Sequence, residues 1–251
     1  MKTFVIAEVG VNHNGDAHIA HELCYQAKEA GADAVKFQMF NSQRLWGDDR
    51  IAHLSFPDNV YLSLVLECRA LDIEFMCTPF GVEEVEFLTP LVKRWKIGSG
   101  CRKPDILDAV FASEKEVIIS LGMANSEDYI DFYRHKGARN IILLHCVSSY
   151  PCRAEDANLL CIPSCADGYS DHTIGITAPI AAVALGATVI EKHLTLDKTQ
   201  EGPDHACSLE PSEFKEMVER IREVELMLGD GEKRILPCEE ELRRQWYVDD
   251  K

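Results

Sequence analysis

The feature that most restricts the fold is a strand–helix–strand unit within residues 168–208. Its first strand ends near His172, an alanine-rich helical stretch follows over 178–185, and a second strand, 189–193, ends at His193. Two strands joined through a helix are expected to lie parallel and adjacent in one sheet. We therefore expect both histidines at the carboxyl edge of that sheet, where α/β proteins build their functional sites.

This pair of histidines has two interpretations. Two imidazoles that converge at neighbouring strand ends suit a divalent metal ion with coordination positions left open. Alternatively, His172 and His193 are unrelated residues that happen to end their strands. Their spacing alone leaves both interpretations open.

Alternation of strands and helices continues along the whole chain. Strands are predicted over 3–9, 34–38, 74–77, 94–97, 116–120 and 140–145, followed by the two described above. Helices are predicted over 16–30, 59–70, 82–91, 105–112, 126–136, 178–185 and 211–228. These eight units favour an α/β fold consisting of a single (β/α)8 TIM barrel. An open doubly wound sheet is the alternative, but it normally has fewer units, and no G-x-G-x-x-G turn follows the first strand.

The barrel is expected to occupy 1–229, and 230–251 is expected to be a charged C-terminal tail, a truncated linker that packs on the surface through Trp246 and Tyr247. The stretch 41–56 is expected to be a long irregular loop, and 154–163 is ambiguous.

Composition narrows the class of protein. The 251 residues are 46% hydrophobic, which is enough for a full core. A formal net charge of −16 argues against nucleic acid or an anionic membrane as a partner. The N-terminus resembles no signal peptide, and no apolar run approaches the roughly 18 residues of a membrane span. We therefore expect a cytoplasmic protein whose ten cysteines are reduced.

Polar side chains stand at the predicted carboxyl end of each strand. In chain order they are Glu8 with Asn12 and His13, Lys36 with Gln38, Thr78, Lys96 with Ser99, Ser120, His145 with Ser148 and Tyr150, Ser170 with His172, and Glu191 with His193. Barrel closure would bring them into one ring. The lysines, the hydroxyls and the backbone amides of 98–100 together favour a phosphate site.

Individual residues in this ring keep simpler alternatives. Taken alone, either Lys36 or Lys96 is better explained by pairing with a carboxylate, Glu8 or Glu191, and only the two together favour the anion site. Glu8 is also a candidate acid or base. His145 is either a core residue or a ligand, and Asp204, in the loop after the last strand, either binds substrate hydroxyls or is solvated.

Nine segments, in one order and with barrel spacing, resemble the sialic acid synthase family, the N-acetylneuraminate synthases that condense phosphoenolpyruvate with an amino sugar. They are IAEVGVNHNGD, AKEAGADAVKFQMF, CTPF, KIGSG, SLGM, LLHCVSSYP, GYSDHTIG, ALGATVIEKHLTLDK and GPDHACSLEP. The resemblance extends over nearly the whole chain to about Lys233, and it implies a (β/α)8 barrel.

The resemblance also implies roles for residues. It implies that Mn²⁺ or Mg²⁺ is held by His172 and His193. The contacts to phosphoenolpyruvate correspond to Lys36, Thr78, Lys96, Ser99, Ser120 and Ser170, and those to the acceptor sugar correspond to Glu8, Gln38, Tyr150 and Asp204, with Ser148 beside them. The implied chemistry is aldol-like: C3 of phosphoenolpyruvate attacks an aldehyde, water adds at C2, and phosphate leaves with C–O cleavage.

The sequence departs from the family pattern in three places. Cys101 follows KIGSG where the family usually has an acidic residue, and Glu8 is the nearest candidate to replace it in acid–base chemistry. Ser148 stands where an asparagine is usual. Family members generally continue into a small antifreeze-like C-terminal domain that supplies an arginine to the partner's acceptor sugar, and this sequence ends at Lys251.

We therefore expect a metal-dependent synthase that joins phosphoenolpyruvate to an aldose or amino-sugar aldehyde, with the acceptor differing from N-acetylmannosamine or held by other means. One alternative is a barrel that binds phosphoenolpyruvate or a related anion without turnover. Another is an aldolase that uses Lys96 or Lys36 as a Schiff base, which leaves the two histidines unexplained. The expected partners are small-molecule substrates, and a homodimer is a candidate assembly.

Overall fold

The computed structural model describes residues 2–125 and 140–246. Its strands are β1 (Phe4–Gly10), β2 (Ala34–Met39), β3 (Glu74–Pro79), β4 (Trp95–Ile97), β5 (Val117–Ser120), β6 (Ile141–Cys146), β7 (Gly168–Asp171) and β8 (Val189–His193). All pair in parallel, in the order β3-β2-β1-β8-β7-β6-β5-β4. The two ends of that order, β3 and β4, lie side by side, so the sheet curls into a nearly closed barrel.

Helices connect the strands and surround the sheet. The described helices are Ala17–Glu29, Ser42–Trp46, Asp58–Ala70, Val82–Leu88, Pro104–Ala112, Ile162–Cys165, Thr177–Ala184, Pro211–Leu228 and Glu240–Trp246. The predicted (β/α)8 barrel is confirmed. The helix predicted over 126–136 lies outside the described residues. No helix in the described part of the chain is long and apolar enough to cross a membrane.

Local sequence explains where the helices begin and end. The Asp16 side chain caps the first helix by accepting a hydrogen bond from the His18 backbone N–H at 2.7 Å. Gly31, with φ of +84°, turns the chain out of that helix. The helix Pro211–Leu228 begins with a reciprocal capping box between Glu210 and Glu213. Such devices act over a few neighbouring residues, which is why the helix positions follow from the sequence.

The barrel interior has an apolar floor on which the polar site stands. One compact cluster of buried side chains forms this floor: Ile6, Ala34, Met76, Ile118, Leu144 and Val189. Side chains two positions further along a strand point to the same face. Five of the six floor residues are therefore followed, one layer higher, by a polar residue, namely Glu8, Lys36, Thr78, Ser120 and Glu191, whereas Leu144 is followed by Cys146. The two-residue period thus converts strand sequences into a polar layer above an apolar one.

Two segments are more ordered than the sequence indicated. The stretch 41–56 contains the helix Ser42–Trp46 and a 3₁₀ turn at Ala52–Leu54, so the prediction of a wholly irregular loop is wrong there. The ambiguous stretch 154–163 forms 3₁₀ turns that lead into the helix Ile162–Cys165. In the tail, the Trp246 side chain is 76% exposed, so it does not pack on the barrel; Tyr247 lies outside the described residues.

Candidate active site

A cavity of about 540 Å³ opens at the carboxyl end of the barrel. It is lined by all thirteen site residues expected from the sequence: Glu8, Lys36, Gln38, Thr78, Lys96, Ser99, Ser120, Ser148, Tyr150, Ser170, His172, His193 and Asp204. They come from separate strands and loops. The fold therefore gathers these residues into one space, as barrel closure requires.

Two buried lysines lie at the bottom of the cavity, in the polar layer above the apolar floor. Lys36 Nζ lies 2.6 Å from Glu8 Oε2 and 3.6 Å from Glu191 Oε2, and it donates a hydrogen bond to Thr78 Oγ1 at 3.1 Å. Lys96 Nζ lies 3.2 Å from Glu191 Oε1. The lysines therefore pair with carboxylates, as one interpretation expected; they also face the cavity, and the phosphate site stays a prediction.

Hydroxyl groups complete the surroundings of the lysines. Lys96 Nζ donates to Ser120 Oγ at 2.8 Å, and Ser170 Oγ donates to Glu191 Oε1 at 2.8 Å. Glu191 thus connects both ammonium groups and one hydroxyl. The sequence pointed to it only as a partner for lysine, and its central position emerges from the structure.

Burial and neighbouring charge separate the two carboxyl groups. Burial raises the pKa of Glu8 from 4.5 to about 7, and the opposing effect of Lys36 does not offset it. Burial acts on Glu191 in the same sense, but Lys36 and Lys96 together lower its pKa to about 2. Near neutral pH, Glu191 is therefore ionised, whereas Glu8 is poised to give or take a proton.

The charge on Lys36 bears on one alternative reaction. Burial by itself would lower the pKa of Lys36, but the carboxylates of Glu191 and Glu8 raise it above its ordinary range. The side chain is therefore an ammonium group at neutral pH. An ammonium group has no free electron pair, so Lys36 is unsuited to form a Schiff base.

At the side wall of the cavity, the backbone of Gly122 lies so close to two serine hydroxyl groups that no larger residue fits there. A Cβ atom on Gly122 would overlap the hydroxyl groups of Ser148 and Ser99. Within the described residues, the buried Ser148 Oγ has no hydrogen-bond partner. A buried hydroxyl with an unused hydrogen bond is unfavourable unless a ligand completes it. This hydroxyl is therefore available to a bound molecule.

His172 and His193 face one another across the cavity, with their ring centroids 5.4 Å apart. His172 Nδ1 lies 2.7 Å from the carbonyl oxygen of Val147, a bond that fixes the tautomer and leaves Nε2 free. The buried His193 Nδ1 has no hydrogen-bond partner in the described part of the chain. Burial, reinforced by the nearby His172, holds the pKa of His193 well below its usual range, so that ring is neutral.

These features fit a divalent metal ion, because imidazoles with unused nitrogens are metal ligands. The His193 ring is already neutral, whereas burial would lower the pKa of His172 but its contacts with Cys146 and the Val147 carbonyl raise it, so a metal ion would displace a proton from that ring. Within residues 2–125 and 140–246, no group of three His, Cys, Asp or Glu side chains is placed to hold a metal. Two protein ligands would leave the other coordination positions to water and substrate. The Tyr150 ring packs against His172, with the centroids 4.0 Å apart and the planes tilted by 42°, and so covers this side of the cavity.

Asp204 reaches the cavity from the loop that follows β8. Its Oδ2 lies 3.8 Å from His193 Nδ1, and burial raises its pKa. A short network anchors the loop: Asn12 Nδ2 donates to Ser208 Oγ at 2.8 Å, and Ser208 Oγ donates to the Asp204 carbonyl oxygen at 2.6 Å. The sequence placed Asn12 near the site but did not predict that it holds Asp204 in position.

The outer wall of the cavity is apolar. Leu45, Trp46, Ile51 and Leu54 line it, all from the segment expected to be an irregular loop. Arg50 also lies there, with its Nε 2.8 Å from Asp48 Oδ1 and its guanidinium over the Trp46 ring. The sequence did not predict this wall, because its residues have no two- or four-residue period and no catalytic side chains.

Two histidines near the site do not line the cavity, and a cysteine that does line it is not a base. His145 lies 2.8 Å from the Ala157 carbonyl oxygen and stacks on Tyr169, away from the cavity, so it is a packing residue rather than a ligand. His13 stacks on Phe56, and burial lowers its pKa to about 4. Cys101 does line the cavity, but burial raises the pKa of its thiol to about 12, so it is no base near neutral pH.

A carboxyl group poised to exchange a proton and two buried lysine side chains, at the carboxyl end of a (β/α)8 barrel, are typical of an enzyme that acts on an anionic substrate. A profile of the NeuB family matches residues 23–233. The chain belongs to the NeuB family, the sugar-acid synthases, which are transferases that form a carbon–carbon bond with phosphoenolpyruvate.

Individual relatives agree with that assignment. The chain is 41% identical to N,N'-diacetyllegionaminic acid synthase of Legionella pneumophila over 96% of this chain and 77% of the relative. It is 37% identical to N-acetylneuraminate-9-phosphate synthase of Mus musculus, over 94% and 74%. A crystal structure of N-acetylneuraminic acid synthetase from Leptospira borgpetersenii, in complex with citrate, superposes with a TM-score of 0.91 at 35% identity, covering 100% of this chain and 94% of that one.

Proposed function

We propose that this enzyme condenses phosphoenolpyruvate with the aldehyde form of an aldose or amino sugar, giving a 2-keto-3-deoxy sugar acid and phosphate, with Mn²⁺ or Mg²⁺ at His172 and His193. The observation that carries the proposal is the position of two buried lysines and several hydroxyls beside two facing imidazoles in one cavity. Membership of the NeuB family supports it.

The donor half of the cavity suits an enol phosphate. Lys36 and Lys96 supply positive charge, and Thr78, Ser99, Ser120 and Ser170 supply hydrogen bonds within the same layer. Low-dielectric surroundings strengthen these contacts with an anion. When phosphoenolpyruvate enters, it competes with Glu191 for the two ammonium groups. The lysines would also stabilise the phosphate as it leaves.

The acceptor half suits a polyhydroxy aldehyde. Gln38 Nε2 donates to Glu8 Oε1 at 2.9 Å, so both side chains present polar groups at the same height. Asp204, Tyr150 and Ser148 face them from later loops. These groups would bind sugar hydroxyls, while the apolar wall contacts the less polar end of the substrate.

His172 and His193 would hold the metal ion, and a bound divalent ion supplies Lewis-acid polarisation of the acceptor carbonyl. C3 of phosphoenolpyruvate forms the new bond to the carbonyl carbon, and the carbonyl oxygen takes up a proton. Glu8, with a pKa near 7, is the group that provides that proton. Water then adds at C2, and the C2–O bond to phosphate breaks, which releases inorganic phosphate and leaves the keto group.

The direct test measures phosphate release from phosphoenolpyruvate with Mn²⁺ and a panel of neutral, amino and phosphorylated aldoses. We expect release only with an aldehyde present and with ¹⁸O from the C2–O position retained in phosphate. His172→Ala and His193→Ala should each abolish metal-dependent activity in folded protein. His145→Ala is the matched control, because that histidine lies outside the cavity and its removal should leave activity intact.

Cys101 favours one second candidate, a barrel that binds the anion without turnover. Its thiol replaces the carboxylate that the family pattern places there, and its raised pKa removes it as a base. Metal-dependent binding of phosphoenolpyruvate in a calorimeter, with no phosphate release for any aldehyde, would favour binding alone. Turnover with any acceptor would eliminate this candidate.

A further inference from the structure

A buried ion pair lies directly behind the two facing histidines. Asp171 on β7 and Lys192 on β8 are register partners, and Lys192 Nζ lies 2.6 Å from Asp171 Oδ2. Both side chains are 0% exposed. Each residue immediately precedes one of the imidazoles, His172 or His193. The pair therefore links the two short stretches of chain that carry the candidate metal ligands.

The ion pair belongs to the opposite face of the sheet from the cavity. Side chains alternate along a strand, and Ser170, Glu191 and the two histidines line the cavity, whereas Asp171 and Lys192 do not. The pair therefore does not touch a molecule bound in the cavity. Any influence on the cavity passes through the backbone and the neighbouring imidazoles.

Thr173 extends the connection to the far side of His172. Asp171 Oδ1 accepts a hydrogen bond from the Thr173 backbone N–H at 2.9 Å, and Lys192 Nζ donates to the Thr173 carbonyl oxygen. Both neighbours of His172 are thus tied to β8 through Lys192. In addition, the His172 carbonyl oxygen accepts a hydrogen bond from the Cys152 N–H at 2.8 Å. The backbone of His172 is held from both directions.

Stability alone does not account for this arrangement. Removing two charges from water is unfavourable, and apolar residues of similar volume often serve a core as well or better. The strands β7 and β8 are also already joined by backbone hydrogen bonds. What a salt bridge adds is a fixed distance and direction between its two strands.

We propose that the Asp171–Lys192 ion pair is a positioning element that sets the separation and orientation of the His172 and His193 rings and thereby the affinity for a divalent cation. This role rests on the proposed function, since it assumes that the two rings bind the metal. Outer groups that orient ligand side chains typically change metal affinity by about 10- to 100-fold when they are removed.

The test compares Mn²⁺ binding by the wild-type full chain and by its variants. Electron paramagnetic resonance measures the free Mn²⁺ at each total concentration. The central variant is Asp171→Asn/Lys192→Met, which removes both charges and leaves neither one buried alone. We expect its Mn²⁺ dissociation constant to rise at least tenfold while its thermal unfolding midpoint stays near that of the wild type. Asp171→Asn alone, which preserves side-chain shape, should weaken binding in the same direction and serves if the double variant does not fold.

The matched control breaks an ion pair elsewhere in the barrel. Arg94 pairs with Glu74 at 2.8 Å and with Glu116, next to the amino-terminal ends of the strands. Arg94→Met should lower stability and leave the Mn²⁺ dissociation constant unchanged. Loss of affinity in this control equal to that in the Asp171 variants would reduce the ion pair to an ordinary stabilising contact and overturn the proposal.

A second readout needs no metal. Long-range ¹H–¹⁵N spectra report the tautomer and hydrogen bonding of each imidazole, including the bond between His172 Nδ1 and Val147. The double variant should shift the His172 and His193 signals in metal-free protein, and the His145 signals should stay in place. Unchanged rings together with wild-type affinity would overturn the positioning role. If the wild-type protein binds no Mn²⁺ but the double variant still shifts the ring signals, the metal assignment is refuted and the positioning of the rings is retained.

Discussion

The raised pKa of the Glu8 carboxyl group predicts how the stability of the folded protein depends on pH, at a residue that also has a proposed catalytic role. The side chain is only 3% exposed, and burial raises its pKa from 4.5 to about 7. The folded protein therefore holds the Glu8 proton more tightly than the unfolded chain does. Below pH 4.5 the group is protonated in both states and costs nothing. As the pH rises towards 7, the unfolded chain ionises first, so stability falls, and the loss levels off above pH 7.

The size of the effect follows from the same two values. A difference of about 2.5 pH units, at about 1.36 kcal/mol each, corresponds to a loss of about 3 kcal/mol between pH 4.5 and pH 8. Glu8→Gln keeps the shape of the side chain and removes the ionisation. The variant should therefore gain stability relative to the wild type as the pH rises, even though it loses the proposed proton donor.

The assay is urea unfolding of both proteins at intervals from pH 5 to pH 9, without substrate. Subtracting one free energy of unfolding from the other at each pH cancels every titration that the two proteins share. Glu213→Gln is the control, because that carboxyl group does not act on Glu8: burial would raise its pKa, but hydrogen bonds from Lys198 and the Glu210 N–H hold it below its usual range, so its difference curve should be flat over this range. A flat curve for Glu8→Gln would refute the reasoning from burial.

Three further substitutions test the halves of the cavity separately. Lys96→Ala should raise the KM for phosphoenolpyruvate at least tenfold and that for the acceptor much less, in steady-state kinetics; the reverse order would contradict the donor assignment. The double variant Glu8→Gln/Cys101→Glu should have a kcat at least tenfold higher than Glu8→Gln alone, because a carboxylate at position 101 would lie near Lys96. An equal kcat in the two variants would show that position 101 takes no part in proton transfer. Asn12→Ala should raise the acceptor KM several-fold with little change in that for phosphoenolpyruvate, since Asn12 anchors the Asp204 loop through Ser208; equal changes in both constants would indicate general damage to the barrel.

The fold was predictable because each element is specified by residues close together in the chain. Apolar runs of four to seven residues gave the strands, and Asp16 and Gly31 delimit the first helix through contacts within a few residues. Where this local information is weak, the prediction was incomplete: the short helix Ser42–Trp46 has five residues, too few for a clear helical period. The limits 1–229 and 230–251, the cytoplasmic location, the small-molecule partners and the homodimer stay predictions.

The sequence by itself determined the barrel, the family and the identity of the polar side chains at the strand ends, because the periods of strands and the spacing of motifs are properties of neighbouring residues. Only the tertiary structure decided which of those side chains interact. Glu8 and Glu191 are 183 residues apart in the chain, yet both lie beside Lys36. Asp171 and Lys192 become partners only when β7 and β8 pair in one register. Distances of a few ångströms set pKa values and metal geometry, and the chain acquires those distances only when the barrel closes.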